Sequence, residues 1–293
     1  MIQKPVLPGL LVLAVLWAPM LAADQPAPSG LGGAESDRFR PGPAEAAARY
    51  ASGDWQMLWQ DEFADGSAPS PAKWSYEEGL VRNRELQFYT VDRRDNARME
   101  GGELVITARR EDWKGARYTS ASLSTRGRFS FTYGKVEIRA RIPTGRGTWP
   151  ALWFLGDNID RVGWPKCGEI DLMENVGFDP ERIHCTIHTG AFNHRLHTQR
   201  GHAISVDHPW ADFHRYGLLW SHERIEFFFD GEKVSEFAND GQGPEHWPFD
   251  SPQYLIINLA LGGAWGGEKG VDDGIFPVEY RVDYVRVWQQ PKR

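Results

Sequence analysis

Three carboxylates stand within one short run, Glu169-Ile170-Asp171-Leu172-Met173-Glu174. On a β-strand successive side chains point to opposite faces, so Glu169 and Asp171 share one face while Ile170 and Leu172 take the other. Strict alternation would then send Met173 to the acidic face and Glu174 into the core. A β-bulge at Leu172-Met173 adds one residue and returns Glu174 to the face of the other two acids. Like charges held that close resist simultaneous ionisation, which spreads their pKa values apart. A general acid and a nucleophile need such a spread. The competing reading is an edge strand with a solvated acidic face.

The elements that must position these acids read as β-strands. Gly134 to Ile142 alternates apolar and charged residues, and Leu104 to Thr107 is a short apolar run. Arg224 to Phe229 leads through Asp230-Gly231 to Lys233-Val234, a strong hairpin signal. Tyr254 to Leu259 and Val282 to Val287 complete the series, and no window holds a helical period. Many short strands between Gly, Pro and Asp turns predict an all-β fold, a jelly-roll sandwich of two antiparallel sheets whose concave face holds an extended ligand.

Ile183 to Thr189 is the predicted strand after the acids, reached by a turn over residues 177–182. His184, Thr186 and His188 then share a face. His184 and His188 would lie ~13 Å apart on a strand, too far to share a zinc ion. The same pairing puts Cys185 near Glu174, and Cys167 lies ahead of Glu169. That separates the thiols by roughly 20 Å, whereas a disulfide needs Cα atoms within about 7 Å. Two free, buried thiols are expected.

Residues 1–23 read as a cleavable secretory signal peptide: Lys4, then an apolar run broken by Pro8 and Pro19, then Ala22-Ala23-Asp24. Residues 24–50, rich in Pro, Ala and Gly, read as a flexible linker. Residues 51–293 suit one large β domain. The net charge of −7 and the lack of a basic stripe exclude nucleic acid as a natural partner. With 13 Trp, 9 Tyr and 15 Phe, the chain has rings for a core and for stacking platforms. Trp149, Trp164 and Trp265 sit in glycine- or proline-flanked segments, where the backbone can approach a ligand.

The chain resembles glycoside hydrolase family 16, and within it the bacterial laminarinases. The resemblance covers about residues 56–289. It is carried by Trp59 to Phe63, Asn83 to Thr90, Phe131 to Glu137, Trp149-Pro150-Ala151-Leu152-Trp153, Trp164 to Glu174 and Val282 to Val287. It implies a retaining endo-acting β-1,3-glucanase with Glu169 as nucleophile, Glu174 as general acid then base, and Asp171 tuning both. The bulged motif is typical of laminarinases; mixed-linkage lichenases more often have a shorter, unbulged form. Asn83, Trp149, Trp153, Trp164, His188, Asn258 and Trp265 are the implied substrate-binding residues. No cofactor is implied for catalysis. A structural Ca²⁺ is implied at Asp283, with Glu62 and Gly102 as backbone donors. The expected partner is a β-glucan polysaccharide, met by a monomer, secreted or periplasmic and free of the membrane once the signal is cleaved.

Alternatives of the same fold are a mixed-linkage glucanase, a galactan hydrolase and a transglycosylase. A glucan-binding relative would have lost the acids that are intact here. One departure bears on specificity. Laminarinases commonly carry an arginine two residues after the serine of a Tyr-Thr-Ser segment, in contact with donor-side sugars. Here Tyr118-Thr119-Ser120-Ala121 is followed by Ser122, and Arg126 and Arg128 are out of register.

Overall fold

The computed structural model describes Phe39 and residues 44–291. The expected signal peptide lies outside these residues, as does most of the expected linker. Two sheets dominate. A seven-stranded sheet runs edge to edge through Arg200–Ser205, Arg182–His188, Glu169–Glu174, Thr148–Gly156, Gln253–Leu261, Ser122–Ser124 and Ser75–Tyr76. The second, ten-stranded sheet runs through Glu232–Ala238, Arg224–Phe229, His214–Trp220, Gly134–Arg141, Val278–Gln289, Glu103–Trp113, Ala116–Ser120 and Gln87–Tyr89. Gln56–Asp61 pairs with its long last strand, and Ala97–Glu100 with Glu103–Trp113. Pairing is antiparallel except between Gln87–Tyr89 and Ala116–Ser120.

The main core fills the space between the sheets. Phe154, Ile170, Leu172, Met173 and Ile257 come from one sheet, and Val136, Ile138, Tyr216, Phe227 and Val285 from the other. Leu172 and Met173 are neighbours in sequence, yet both enter this core. Alternation is broken there, as the acid spacing predicts. A separate cluster of Ala151, Trp153, Leu155, Tyr254 and Ile256 lies on the other face of the seven-stranded sheet, which is the cleft face. The predicted hairpin turns at Asp230 and Gly231, with φ of 50° and 90°. Positive φ at both central residues matches the right-handed twist of the flanking strands. Cys167 and Cys185 are free and buried, as the register required.

The linker boundary needs correction. Residues 44–51, placed by the sequence reading mostly inside the flexible segment, form a helix, Ala44–Ala51. Its Ala-rich sequence has high intrinsic helix propensity, and packing on the ten-stranded sheet supplies what so short a helix lacks alone. Tyr50 stacks on Phe228 with ring centroids 4.4 Å apart. Its hydroxyl lies 3.1 Å from both Val136 O and Glu137 Oε2. Arg49 pairs with Glu226 at 2.7 Å. A Cβ on Gly217 would come within 2.4 Å of Tyr50 Oη, so a glycine makes the notch that this ring fills.

Candidate active site

The acidic strand is central in its sheet. On one side it pairs with Arg182–His188: Glu169 faces His188, Asp171 faces Thr186, and Glu174 faces His184. The register slips between Asp171 and Glu174, and on the other neighbour it slips between Asp171 and Met173. The bulge at Leu172-Met173 therefore carries Glu174 back to the face of Glu169 and Asp171.

Each outer acid is held by an indole. Trp164 Nε1 donates to Glu169 Oε2 at 2.9 Å, and Trp149 Nε1 donates to Glu174 Oε1 at 3.0 Å. One oxygen of each carboxyl is fixed; among the described residues the other makes no side-chain hydrogen bond, and neither acid has an arginine or lysine partner. Burial pushes the carboxyls of Glu169, Asp171 and Glu174 each up to about 8, and the charge of Asp171 adds to the rise at Glu169 and Glu174. The physical cause is loss of hydration, which penalises the charged form.

His188 Nε2 lies 3.4 Å from Asp171 Oδ2 and 3.6 Å from Glu169 Oε1. It is the nearest basic group to the Glu169 end. His184, beside Glu174, is driven down to about 4 by burial and so stays neutral at ordinary pH. Its ring meets Trp265 edge-on at 4.9 Å. Glu169, Asp171 and His188 offer ligand atoms within 4.8 Å of one another, a set able to hold a cation. The same atoms are the free groups from which acid–base chemistry would draw.

The remaining predicted residues surround this strand. Trp149 meets Trp265 edge-on at 5.6 Å, so both line the Glu174 end. Trp153 pairs with Asp171 but is only 7% exposed. Its Nε1 donates to Asn258 Oδ1 at 2.7 Å, and Asn258 Nδ2 donates to Tyr89 Oη at 2.9 Å. Tyr89 in turn donates to Glu85 at 3.2 Å, which also accepts from Gln87 at 2.7 Å and Asn83 at 3.3 Å. Trp153 is thus a support for Asn258 rather than an open platform. Asn83 is exposed at the end of the same chain of hydrogen bonds. Trp164 is also covered: the His194 ring lies 4.8 Å away, and the Arg195 guanidinium 4.6 Å from the indole centroid.

Glu77, Arg82, Glu85, Gln87, Tyr89, His194 and Arg195 were not singled out by sequence. Glu85, Gln87 and Tyr89 alternate within a segment that carries the family resemblance, which was an available signal. For Glu77, Arg82 and the 194–195 pair no local pattern exists.

For the predicted calcium residues, the strand of Asp283 pairs with the strands that end just before Glu62 and begin just after Gly102. The strand Val278–Gln289 pairs with Glu103–Trp113 up to Val282 and with Gln56–Asp61 from Val285 onward. Asp283 sits at that handover, beside the chain positions of Glu62 and Gly102. The Glu62 side chain is turned to Arg286, with two contacts of 2.8 Å, which leaves its backbone as the donor. Asp283 Oδ2 pairs with Arg139 at 2.5 Å. One carboxylate plus backbone oxygens fits a stability site for Ca²⁺, with Arg139 as its competitor.

A jelly-roll sandwich carrying paired, indole-clamped carboxylates on one sheet face is the architecture of a glycosidase. Residues 84–286 match glycosyl hydrolases family 16, and the chain belongs to that family. It is 50% identical over 244 residues to a β-glucanase of Rhodothermus marinus, covering 80% of this chain and 85% of the relative. The structure of the laminarinase from Rhodothermus marinus superposes with a TM-score of 0.79 at 49% identity, over 81% of this chain and 98% of that one. A non-specific endo-β-1,3(4)-glucanase of family GH16, crystallised with a glucan oligosaccharide, superposes with a TM-score of 0.78 at 43% identity, over 82% of this chain and 96% of that one.

Proposed function

We propose that this protein is a retaining, endo-acting β-glucanase that hydrolyses β-1,3-glucosidic bonds in laminarin-type polysaccharides. The observation that carries the reading is the bulged strand, with three dehydrated carboxyls on one face and, among the described residues, no arginine or lysine paired with the outer two. Glu169 attacks the anomeric carbon. It is the acid suited to ionise, because His188 Nε2 lies 3.6 Å from its carboxyl, whereas His184, the strand partner of Glu174, is kept neutral by burial. Glu174, kept protonated by burial, gives its proton to the departing glycosidic oxygen. The covalent glycosyl-enzyme is then opened by water, whose proton returns to Glu174, and the β configuration is retained. Asp171, between them, holds charge or proton as the neighbours change state. Reducing-sugar release on laminarin, lichenan, curdlan and agarose, with the first anomer read by NMR, tests the reading. Release on laminarin with a β-anomeric product is expected; an α-anomer, or activity on agarose alone, would overturn it.

A broader action on mixed-linkage glucan is favoured by the 43% identical structure, which is of a non-specific β-1,3(4)-glucanase. Lichenan cleavage separates the two.

We also propose that residues 1–23 are removed on export, leaving a monomer in the periplasm or medium. N-terminal sequencing of the exported protein would find the start near Asp24. At the Asp283 handover we propose a structural Ca²⁺ held by the Asp283 carboxylate and the backbone oxygens of Glu62 and Gly102. It would serve stability and no catalytic step. Melting in Ca²⁺ against chelator should differ by several degrees; identical curves would count against it.

A further inference from the structure

Ser122 leaves the cleft without the arginine expected there, yet a guanidinium reaches the same wall from another loop. A glycan passing between Glu169 and Glu174 crosses the sheet strand by strand. On the side away from the histidines it meets Trp153, then Asn258, then Ser122, whose register partner is Asn258. The next residue on that path is Glu77, whose N–H donates to Ser122 O at 3.1 Å. Arg82 stands over this row. Its guanidinium lies 4.9 Å from the Trp153 ring centroid. One Glu77 oxygen forms an ion pair with Arg82, and the other accepts from Ser122 Oγ at 2.5 Å. The Arg82 side chain is 20% exposed, and its Nη1 has no hydrogen-bond partner. A buried donor left unpaired is costly, so a small turn of the partly exposed guanidinium that brings Nη1 to a ligand oxygen would be favoured.

We infer that Arg82 is a specificity-determining residue of the donor side. It supplies to the sugar beyond the cleaved bond the cationic contact that residue 122 does not. Glu77 is the anchor that makes the exchange work. A serine at 122 is short enough to leave one Glu77 oxygen for Arg82, whereas an arginine at 122 would claim that carboxylate itself. The fork of guanidinium N–H groups suits neighbouring hydroxyl oxygens. The Trp153 face beneath it is closed to stacking, so recognition on this side is by hydrogen bonding rather than by an aromatic platform. This inference rests on the proposed glucanase activity.

The test is a positional swap in the full chain, assayed on β-1,3-gluco-oligosaccharides of increasing length. Arg82→Ala should raise KM about tenfold on oligomers long enough to reach Glu77, with kcat within about twofold. Adding Ser122→Arg to Arg82→Ala should return KM to within about threefold of the parent. If Arg82→Ala fails to fold, Arg82→Lys keeps the charge, loses the fork and should show a smaller KM rise. An unchanged KM and product ladder in Arg82→Ala would overturn the inference. So would a loss that Ser122→Arg does not repair, since a merely structural arginine would behave that way. If the parent enzyme releases no sugar from any β-1,3-glucan, the functional reading itself fails, and this inference with it.

Discussion

The two sheets treat their carboxylates in opposite ways. On and beside the ten-stranded sheet several acids are paired with arginines. Glu62 is bracketed by Arg286, Glu279 lies between Arg98 and Arg281, and Arg281 also holds Glu103. Hydrogen bonds from Arg286 hold the Glu62 carboxyl below its ordinary value, and Arg98 and Arg281 offset burial to lower that of Glu279. On the cleft face three acids have no such partner, and burial carries each to about 8. The same residue type is a counter-ion on one surface and a proton carrier on the other. The difference is set by hydration and neighbours, not by the carboxyl group.

Removing the cleft acids breaks the comparison most severely. Glu169→Gln and Glu174→Gln should each lower kcat on laminarin by about a thousandfold or more. Robust turnover in either variant would remove that residue from the chemistry. Asp171→Asn should cost less, about ten- to a hundredfold, and should shift the pH–rate profile because one coupled charge is gone. A profile that kept its shape would make Asp171 a packing residue.

The two surfaces should also respond to pH with opposite sign. A cleft carboxyl whose folded pKa lies near 8 is neutral in the folded chain when its unfolded counterpart, near 4.5, has already ionised. Its effect on stability is therefore most favourable below about pH 4.5 and is lost as pH rises to about 8. Glu62, with a lowered pKa, does the reverse: its contribution is present above its unfolded pKa and lost as pH falls. Glu174→Gln should therefore raise Tm at pH 8 relative to the parent by on the order of 3 °C or more, and change it little at pH 4.5. Equal shifts at both pH values would contradict this. The smallest effect belongs to the exposed pairs. Arg286→Ala should cost under about 1 kcal/mol, because Arg286 and Glu62 are 33% and 38% exposed and solvent screens them. Its kcat should match the parent.

Much of the site was legible because it is local. The bulge follows from three acids and three aliphatic residues in one run, and the thiol separation follows from the register of two adjacent strands. Which residues cover the site was not legible. The resemblance implied Trp153, and the proline-flanked segment suggested Trp164, as contacts for a sugar, but Arg82, His194 and Arg195 come over them from other parts of the chain. The face a residue takes follows from period two; what lies on top of that face depends on tertiary packing. The Ala44–Ala51 helix escaped for a related reason. Its composition matches a linker, and only the Gly217 notch gives its Tyr50 a place to go.

That notch also bears on how far the chain could be trimmed without opening the fold. Tyr50 and Tyr284 are the two hydroxyls at the buried Glu137 carboxylate, the latter donating at 2.8 Å. The folded body already holds Phe39, whose ring lies 5.4 Å from that of Phe229 and whose N–H donates to Ser205 O at 3.0 Å, well before residue 84, where the family match begins. A cut beyond Tyr50 would open a slot at Gly217 and leave Glu137 with half its donors. The family boundary and the folding boundary are different places on this chain.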